Sequence, residues 1–247
     1  MRLAAIFACA ILISGLSPAQ ADPCRLVRYS QISMPDNPVR RVLVPVVVNG
    51  TKSTFVLDTG SPLTGLASST ADAQSLPRTF VSHGLYSISG KYTPDFVKVS
   101  DLWIDKIEVK DAYLFVVPVD DKAEKESIGG LLGANMLENM DLDFDFAGHV
   151  LNLLAPSECG AGVVYWSAKT GTVPFTIRDG HIWVEVKLDG KLVHAIVDTG
   201  STDTVLSGRV ARRRYGLRPG DAGTQKIDGA GTNALIQYTH RFEMLSF

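Results

Sequence analysis

The chain has 247 residues, a length that suits one large domain or two small ones, and its hydrophobic share of 45% excludes wholesale disorder. Lysine and arginine number 24 and aspartate and glutamate number 26, so the formal net charge is −2. This balance excludes a general electrostatic attraction to nucleic acid or to an anionic membrane, and we expect no nucleic-acid partner.

The first 21 residues have the pattern of a secretory signal peptide. Arg2 supplies a positive charge, an apolar run follows from Leu3 to Leu16, and Ala19-Gln20-Ala21 forms a small-x-small cleavage site. The apolar run is too short to span a bilayer comfortably, so the sequence predicts no membrane span. We therefore expect an exported protein, periplasmic or secreted, whose mature chain begins at Asp22.

Two cysteines, Cys24 and Cys159, remain after removal of the signal peptide. In an oxidising compartment an even pair favours a disulfide, which would stabilise the chain by on the order of 3–5 kcal/mol in the chain-entropy model. Two free buried thiols are the alternative, and a mass measurement under non-reducing conditions separates the two cases. The five histidines are scattered without ligand spacing, so we predict no metal site.

Two stretches of the chain resemble each other. Residues 44–68 align with residues 184–208 without a gap, and a second match joins residues 92–100 to residues 238–246. Each copy begins with an apolar run, an Asn-Gly or Asp-Gly pair and a second apolar run, which predicts a β-hairpin. The pattern indicates a duplication and therefore two similar lobes.

In each copy the second strand of the hairpin runs directly into Asp-Thr-Gly-Ser, at residues 58–61 and at residues 198–201. A pair of ordinary Asx-turns is the alternative, since aspartate favours turns and glycine supplies their dihedral angles. The end of a buried apolar strand, however, is a costly place for an unpaired carboxylate. Two such turns in equivalent places therefore favour a functional pair, Asp58 and Asp198.

The segments 55–61 and 195–201 resemble the two active-site turns of aspartic proteases, and the second is especially similar to the retropepsin-like branch. Leu131-Leu132-Gly133 resembles the apolar–apolar–glycine element that underlies the catalytic turn in that family. The resemblance implies an all-β fold with short helices, a two-lobed acid-protease-like β-barrel in which Asp58 from one lobe meets Asp198 from the other.

The same resemblance implies hydrolysis of a peptide or protein substrate without a metal or cofactor. In aspartic proteases two carboxylates about 3 Å apart share one proton, because both cannot be ionised at once. The ionised carboxylate takes a proton from the attacking water, and the protonated one donates to the carbonyl oxygen of the peptide.

Supporting roles are implied for six neighbours of the aspartates: Thr59, Gly60, Ser61, Thr199, Gly200 and Ser201. The threonine hydroxyls would reach across to the opposite strand, the glycine amides would approach the carboxylates, and the serine hydroxyls would donate to the outer carboxylate oxygens. A substrate flap is expected within residues 82–93, with Tyr86 as its tyrosine; an exposed aromatic residue on a turn is the alternative.

We place the first lobe at residues 22–155, a linker at residues 156–172 and the second lobe at residues 173–247. Residues 102–154 of the first copy have no counterpart after Phe247, so we expect the second lobe to be incomplete. Either the chain is truncated or another chain completes that lobe.

The leading functional prediction is an exported aspartic endopeptidase. One alternative is a catalytically impaired binding module whose second lobe is incomplete. Another is a structural dimer in which two copies of the first lobe pair their Asp58 turns.

Overall fold

The structure is a computed structural model that describes residues 26–34, 36–37, 40–86, 92–117, 128–156, 164, 166–167, 169–227 and 237–247. The predicted signal peptide and both mature-chain cysteines, Cys24 and Cys159, lie outside the described residues. The disulfide between them therefore stays a prediction.

Within the described residues the strands up to residue 156 are β1 (Arg28–Ser33), β2 (Leu43–Val48), β3 (Thr51–Leu57), β4 (Gly65–Ala67), β5 (Arg78–Tyr86), β6 (Tyr92–Ile104), β7 (Ile107–Val117), β8 (Gly130–Leu132), β9 (Asp141–Asp145) and β10 (Val150–Leu154). The later strands are β11 (Phe175–Arg178), β12 (His181–Leu188), β13 (Lys191–Ile196), β14 (Thr224–Ile227), β15 (Gln237–His240) and β16 (Leu245–Ser246). The helices are α1 (Ser68–Ala73), α2 (Ala134–Leu137) and α3 (Gly208–Tyr215). None of the helices in this part of the chain is long and apolar enough to cross a membrane.

Six strands of the first half close into a barrel. They are hydrogen-bonded in the order β2, β3, β8, β4, β7 and β6, and β6 pairs with β2 to complete the ring, while β5 extends from β6 outside it. Side chains alternate between the two faces of each strand, so one face fills the interior. Fully buried apolar side chains of these strands include Phe55, Leu57, Leu66, Leu102, Ile104, Leu114 and Leu132. Closure leaves the ring without a free edge, which gives the first lobe a rigid frame.

Both predicted hairpins are present. β2 and β3 are joined at Asn49 and Gly50, and β12 and β13 are joined at Asp189 and Gly190. All four residues have φ values between 46° and 76°. Asparagine, aspartate and glycine tolerate this left-handed conformation, which a two-residue hairpin turn requires. The turns return β3 and β13 toward the centre of the molecule, each ending one or two residues before an Asp-Thr-Gly-Ser segment.

The described part of the second half forms an open sheet instead of a ring. Its order is β11, β12 and β13, with β16 also paired to β12, while β14 and β15 pair only with each other. Val184 and Val186 are buried at 8% and 5% exposure, whereas Phe175 and Val205 are 59% and 68% exposed. The main hydrophobic core therefore lies in the first half.

A further three-stranded sheet, in the order β1, β10 and β9, brings Ile32, Leu151 and Leu153 into that core. The predicted fold class, mainly β with a two-lobed acid-protease-like arrangement, is thereby confirmed, one lobe being a closed barrel and the other an open sheet. The lobe boundaries at residues 22–155 and 173–247 stay predictions.

Candidate active site

The barrel fixes the position of Asp58, which directly follows β3. This strand pairs with β2 on one side and runs parallel to β8 on the other. Its last three residues, Phe55, Val56 and Leu57, are at most 1% exposed. The backbone N–H of Asp58 donates to the carbonyl oxygen of Leu132 at 3.0 Å. The apolar element predicted beneath this turn is therefore in contact with it.

Asp198 follows a strand that is more exposed than the strand before Asp58. Among the described residues β13 pairs with β12 on one side only. The two residues before the aspartate, Ile196 and Val197, are 38% and 41% exposed, and the N–H of Val197 donates to the carbonyl oxygen of Ile182 at 3.0 Å. The two aspartates therefore leave similar hairpins that differ in how deeply they are buried.

Each turn holds its carboxylate over the glycine of the other turn. The N–H of Gly60 donates to Oδ1 of Asp58 at 3.0 Å, and the N–H of Gly200 donates to Oδ1 of Asp198 at 2.8 Å. A Cβ atom on Gly60 would lie 2.5 Å from Oδ1 of Asp198, and one on Gly200 would lie 2.5 Å from Oδ1 of Asp58. The two carboxyl groups are within hydrogen-bonding reach of each other. Only glycine allows so close an approach.

Two threonines join the lobes by a symmetric set of four hydrogen bonds. The hydroxyl of Thr59 donates to the carbonyl oxygen of Val197 at 2.7 Å, and that of Thr199 donates to the carbonyl oxygen of Leu57 at 2.8 Å. Each hydroxyl also accepts from the backbone N–H of the other threonine at 3.1 Å. The threonines thereby fix the distance between the strands that carry the aspartates.

The environment of Asp58 raises its pKa from 3.8 to about 6. Burial is the largest cause, because the charged form loses hydration. The charge of Asp198 and a hydrogen bond to that residue raise the pKa further, while the backbone N–H groups of Gly60 and Ser61 lower it. Asp58 therefore retains a proton at a pH at which an exposed aspartate has lost it.

The hydroxyl groups of the two serines donate to backbone carbonyl oxygens, whereas the resemblance implied that they donate to the carboxylates. The hydroxyl of Ser61 donates to the carbonyl oxygen of Leu63 at 2.8 Å, and that of Ser201 donates to the carbonyl oxygen of Asp203 at 2.7 Å. A serine side chain is short, and a carbonyl two residues along a turn lies within its reach. Each serine hydroxyl therefore donates within its own turn and not to the carboxylate.

The residues in which the flap is expected, 82–93, include the end of β5 and the start of β6. Tyr86 is the last residue of β5, where it pairs with Tyr92 across the hairpin. Its side chain and residues 87–91 lie outside the part of the chain that the structure describes. The role of Tyr86 as a flap tyrosine stays a prediction.

One contact beside the site was not predicted. Thr64, which is 1% exposed, donates from its hydroxyl to Oδ1 of Asn135 at 2.9 Å and accepts from the N–H of Gly133 at 3.0 Å. The only sequence signal for this contact is that Asn135 stands two residues after the apolar–apolar–glycine element.

No group of three or more His, Cys, Asp or Glu side chains within the described ranges is arranged to hold a metal ion. At the junction of the lobes, the two ionisable groups that meet are Asp58 and Asp198, and their arrangement fits a shared proton.

The sequence model of a known family agrees with this geometry. The family described as "Aspartyl protease" matches residues 44–136 and 184–247, which together make up more than half of the chain. The protein therefore belongs to the aspartyl protease family.

Three solved structures are similar to part of this chain. A retropepsin-like aspartic protease from Rickettsia conorii has 19% sequence identity and a TM-score of 0.39, covering 53% of this chain and 96% of its own. The EIAV protease complexed with the inhibitor HBY-793 has 18% identity and a TM-score of 0.33, covering 42% and 91%. The retroviral protease-like domain of Ddi1 from Leishmania major has 12% identity and a TM-score of 0.32, covering 48% and 98%. No curated protein sequence matches the chain.

Proposed function

We propose that the protein is an aspartic endopeptidase that hydrolyses peptide bonds with a water molecule activated by Asp58 and Asp198. The observation that carries this proposal is the reciprocal geometry in which each carboxylate lies over the glycine of the opposite turn. Membership of the aspartyl protease family supports the reaction class. The four threonine hydrogen bonds support a fixed distance between the reacting groups.

The two carboxyl groups divide the acid and base work. Burial and the neighbouring Asp198 favour the protonated form of Asp58, so Asp58 is the proton donor. Asp198 is the group that accepts a proton from water as the water oxygen attacks the peptide carbonyl carbon. Asp58 then donates its proton to the carbonyl oxygen, which acquires negative charge in the same step.

Replacement of either aspartate tests this proposal. Asp58→Asn and Asp198→Asn should each abolish cleavage of an unfolded protein substrate between about pH 3 and pH 7, because asparagine can neither share nor accept the proton. Asp111→Asn is the matched control, since this aspartate is exposed on the barrel and pairs with Lys98. Cleavage that survives in either site variant contradicts the assignment.

A second candidate is a module that binds peptides without cleaving them. The exposure of Ile196 and Val197, against at most 1% for Val56 and Leu57, favours it, because the described residues do not pack around the Asp198 turn as they do around the Asp58 turn. A statine-type inhibitor distinguishes the candidates. Inhibitor binding together with cleavage supports the endopeptidase, and inhibitor binding without cleavage supports the module.

We also propose that the protein is exported, on the pattern of residues 1–21. N-terminal sequencing of the protein recovered from the periplasm or the medium should begin at Asp22. Recovery of the full chain from the cytosol alone contradicts export.

A further inference from the structure

A pair of side chains, the buried Thr64 and the half-buried Asn135, holds the Asp58 turn against the strand behind it. Oδ1 of Asn135 accepts the hydroxyl of Thr64 at 2.9 Å and the backbone N–H of Thr64 at 2.7 Å. The Thr64 hydroxyl in turn accepts the N–H of Gly133 at 3.0 Å. We call these three bonds the Thr64–Asn135 clasp. The clasp joins the end of the Asp58 turn to the start of α2.

The main chain reinforces the clasp along the whole turn. The N–H of Ala134 donates to the carbonyl oxygen of Ser61 at 2.9 Å, and the N–H of Asn135 donates to that of Pro62 at 3.2 Å. A Cβ atom on Gly133 would lie 2.5 Å from the carbonyl oxygen of Leu63, so the two segments touch through their backbones. Residues 58–64 therefore have little freedom to move away from β8.

The Asp198 turn has no such support among the described residues. Thr204 aligns with Thr64 in the sequence, yet its side chain is exposed, whereas Thr64 is 1% exposed. The neighbouring Val205 is 68% exposed. Within this part of the chain the Thr204 side chain makes no hydrogen bond. The two Asp-Thr-Gly-Ser turns are thus nearly identical in sequence and differ in what holds them.

We propose that Asn135 is a positioning residue which, through Thr64, fixes the Asp58 turn on β8 and thereby places the shared proton on Asp58. The physical reason is that the turn after Val56 and Leu57, which are at most 1% exposed, is held in place, so water has less access to a charge on Asp58 than it would on a loosely held turn. The high pKa of Asp58 agrees with this division. The inference rests on the proposed proteolytic function, since Asn135 would influence the reaction by positioning Asp58 and not by contacting the substrate.

Three variants at equivalent positions test the clasp. Thr64→Val keeps the shape of the side chain and removes the hydroxyl, Thr64→Ser keeps the hydroxyl, and Thr204→Val makes the same change on the unclasped turn. The readouts are the titration of the Asp58 carboxyl carbon by NMR, assigned with Asp58→Asn, and the pH profile of kcat/KM.

In Thr64→Val the pKa of Asp58 should fall toward the ordinary aspartate value, because the loosened turn admits water. The basic limb of the pH profile should move to lower pH with it. At pH values above this limb, each decrease of 1 in the pKa of Asp58 lowers kcat/KM about tenfold, because a tenfold smaller fraction of the enzyme carries the proton to be donated. Thr64→Ser should restore the wild-type profile, and Thr204→Val should leave it unchanged.

The proposal is overturned if Thr64→Val titrates like the wild type, even if it unfolds more easily, because the clasp would then be merely structural. It is also overturned if Thr204→Val produces the same shift as Thr64→Val. If Thr64→Val does not fold, Asn135→Ser carries the same expectations, since its shorter side chain cannot reach Thr64. A wild type that cleaves no substrate refutes the proposed function, while the NMR titrations still decide the role of the Thr64–Asn135 clasp.

Discussion

The hydroxyl of Thr59 joins the two lobes, and Thr59→Val should weaken that junction. The hydroxyl donates to the carbonyl oxygen of Val197 at 2.7 Å and accepts from the backbone N–H of Thr199 at 3.1 Å. Thr59 is 5% exposed, so water cannot take the place of the hydroxyl without a local rearrangement. Valine preserves the β-branched shape, which means that the substitution isolates the two hydrogen bonds.

The expected loss follows from the two groups that would be left without a partner. A buried polar group without a hydrogen bond costs roughly 1–3 kcal/mol. Val197 is 41% exposed, so water reaches the region of its carbonyl group more readily than that of Thr199. We therefore expect Thr59→Val to lower the free energy of unfolding by about 2 kcal/mol, which is roughly 30-fold in the folding equilibrium constant.

Urea denaturation followed by circular dichroism measures this loss, with Thr59→Ser as the matched control. Serine retains the hydroxyl, so its unfolding free energy should stay close to that of the wild type. Thr199→Val should behave like Thr59→Val, because the Thr199 hydroxyl makes the equivalent pair of hydrogen bonds, to the carbonyl oxygen of Leu57 and from the backbone N–H of Thr59.

Two results would contradict the expected role of the Thr59 hydroxyl. One is a Thr59→Val variant whose unfolding free energy lies within about 0.5 kcal/mol of the wild type, the size of a neutral surface change. The other is a Thr59→Ser variant that is as unstable as Thr59→Val, because the loss would then come from packing and not from the hydroxyl.

Two further predictions concern the carboxylates. The pKa of Asp58 is about 6 in the folded chain and ordinary in the unfolded chain, so the stability that its proton confers is complete below about pH 4 and is lost as the pH rises through 6. Urea denaturation should show a fall of at most about 3 kcal/mol over this range that Asp58→Asn lacks; equal pH dependence in both proteins contradicts it. Gly60→Ala should abolish peptide cleavage, because its Cβ would lie 2.5 Å from Oδ1 of Asp198. Gly171→Ala is the control, since its Cβ would meet nothing within 4 Å, and equal activity of the two variants would show that the close approach is unnecessary.

Local sequence signals predicted the elements around Asp58 well. Asn49-Gly50 can form a two-residue hairpin turn at little steric cost, and the apolar run after it is typical of a strand buried in a sheet. The hairpin and the strand that leads to Asp58 were therefore readable from a short window. The element around Leu132 was readable as well, because a resemblance to known proteins attached it to the catalytic turn.

Contacts that depend on the course of the distant chain were not readable. Thr64 and Asn135 are 71 residues apart, and one asparagine carries no periodic signal that would link it to a threonine. The hydroxyl of Ser61 was assigned to the carboxylate from the resemblance, but its direction depends on turn geometry, which places the carbonyl of Leu63 within reach.

The difference in burial between the two turns could not be predicted from the sequence either. Val56 and Ile196 occupy aligned positions in similar apolar strands, yet one is 1% exposed and the other is 38% exposed. The sequence of each strand does not determine this difference. It arises because β8 covers the edge of β3, while the described residues place no strand at the corresponding edge of β13.

A repeated motif therefore supplies two chemically identical carboxyl groups, and only their surroundings can give them different tasks. Because burial is the largest cause of the raised pKa of Asp58, the asymmetry comes from the barrel and not from the Asp-Thr-Gly-Ser segment. Because residues 58–61 and residues 198–201 have the same sequence, these segments cannot themselves decide which carboxyl group holds the proton. Changes behind the turn, at Thr64 or Asn135, are the ones that we expect to move it.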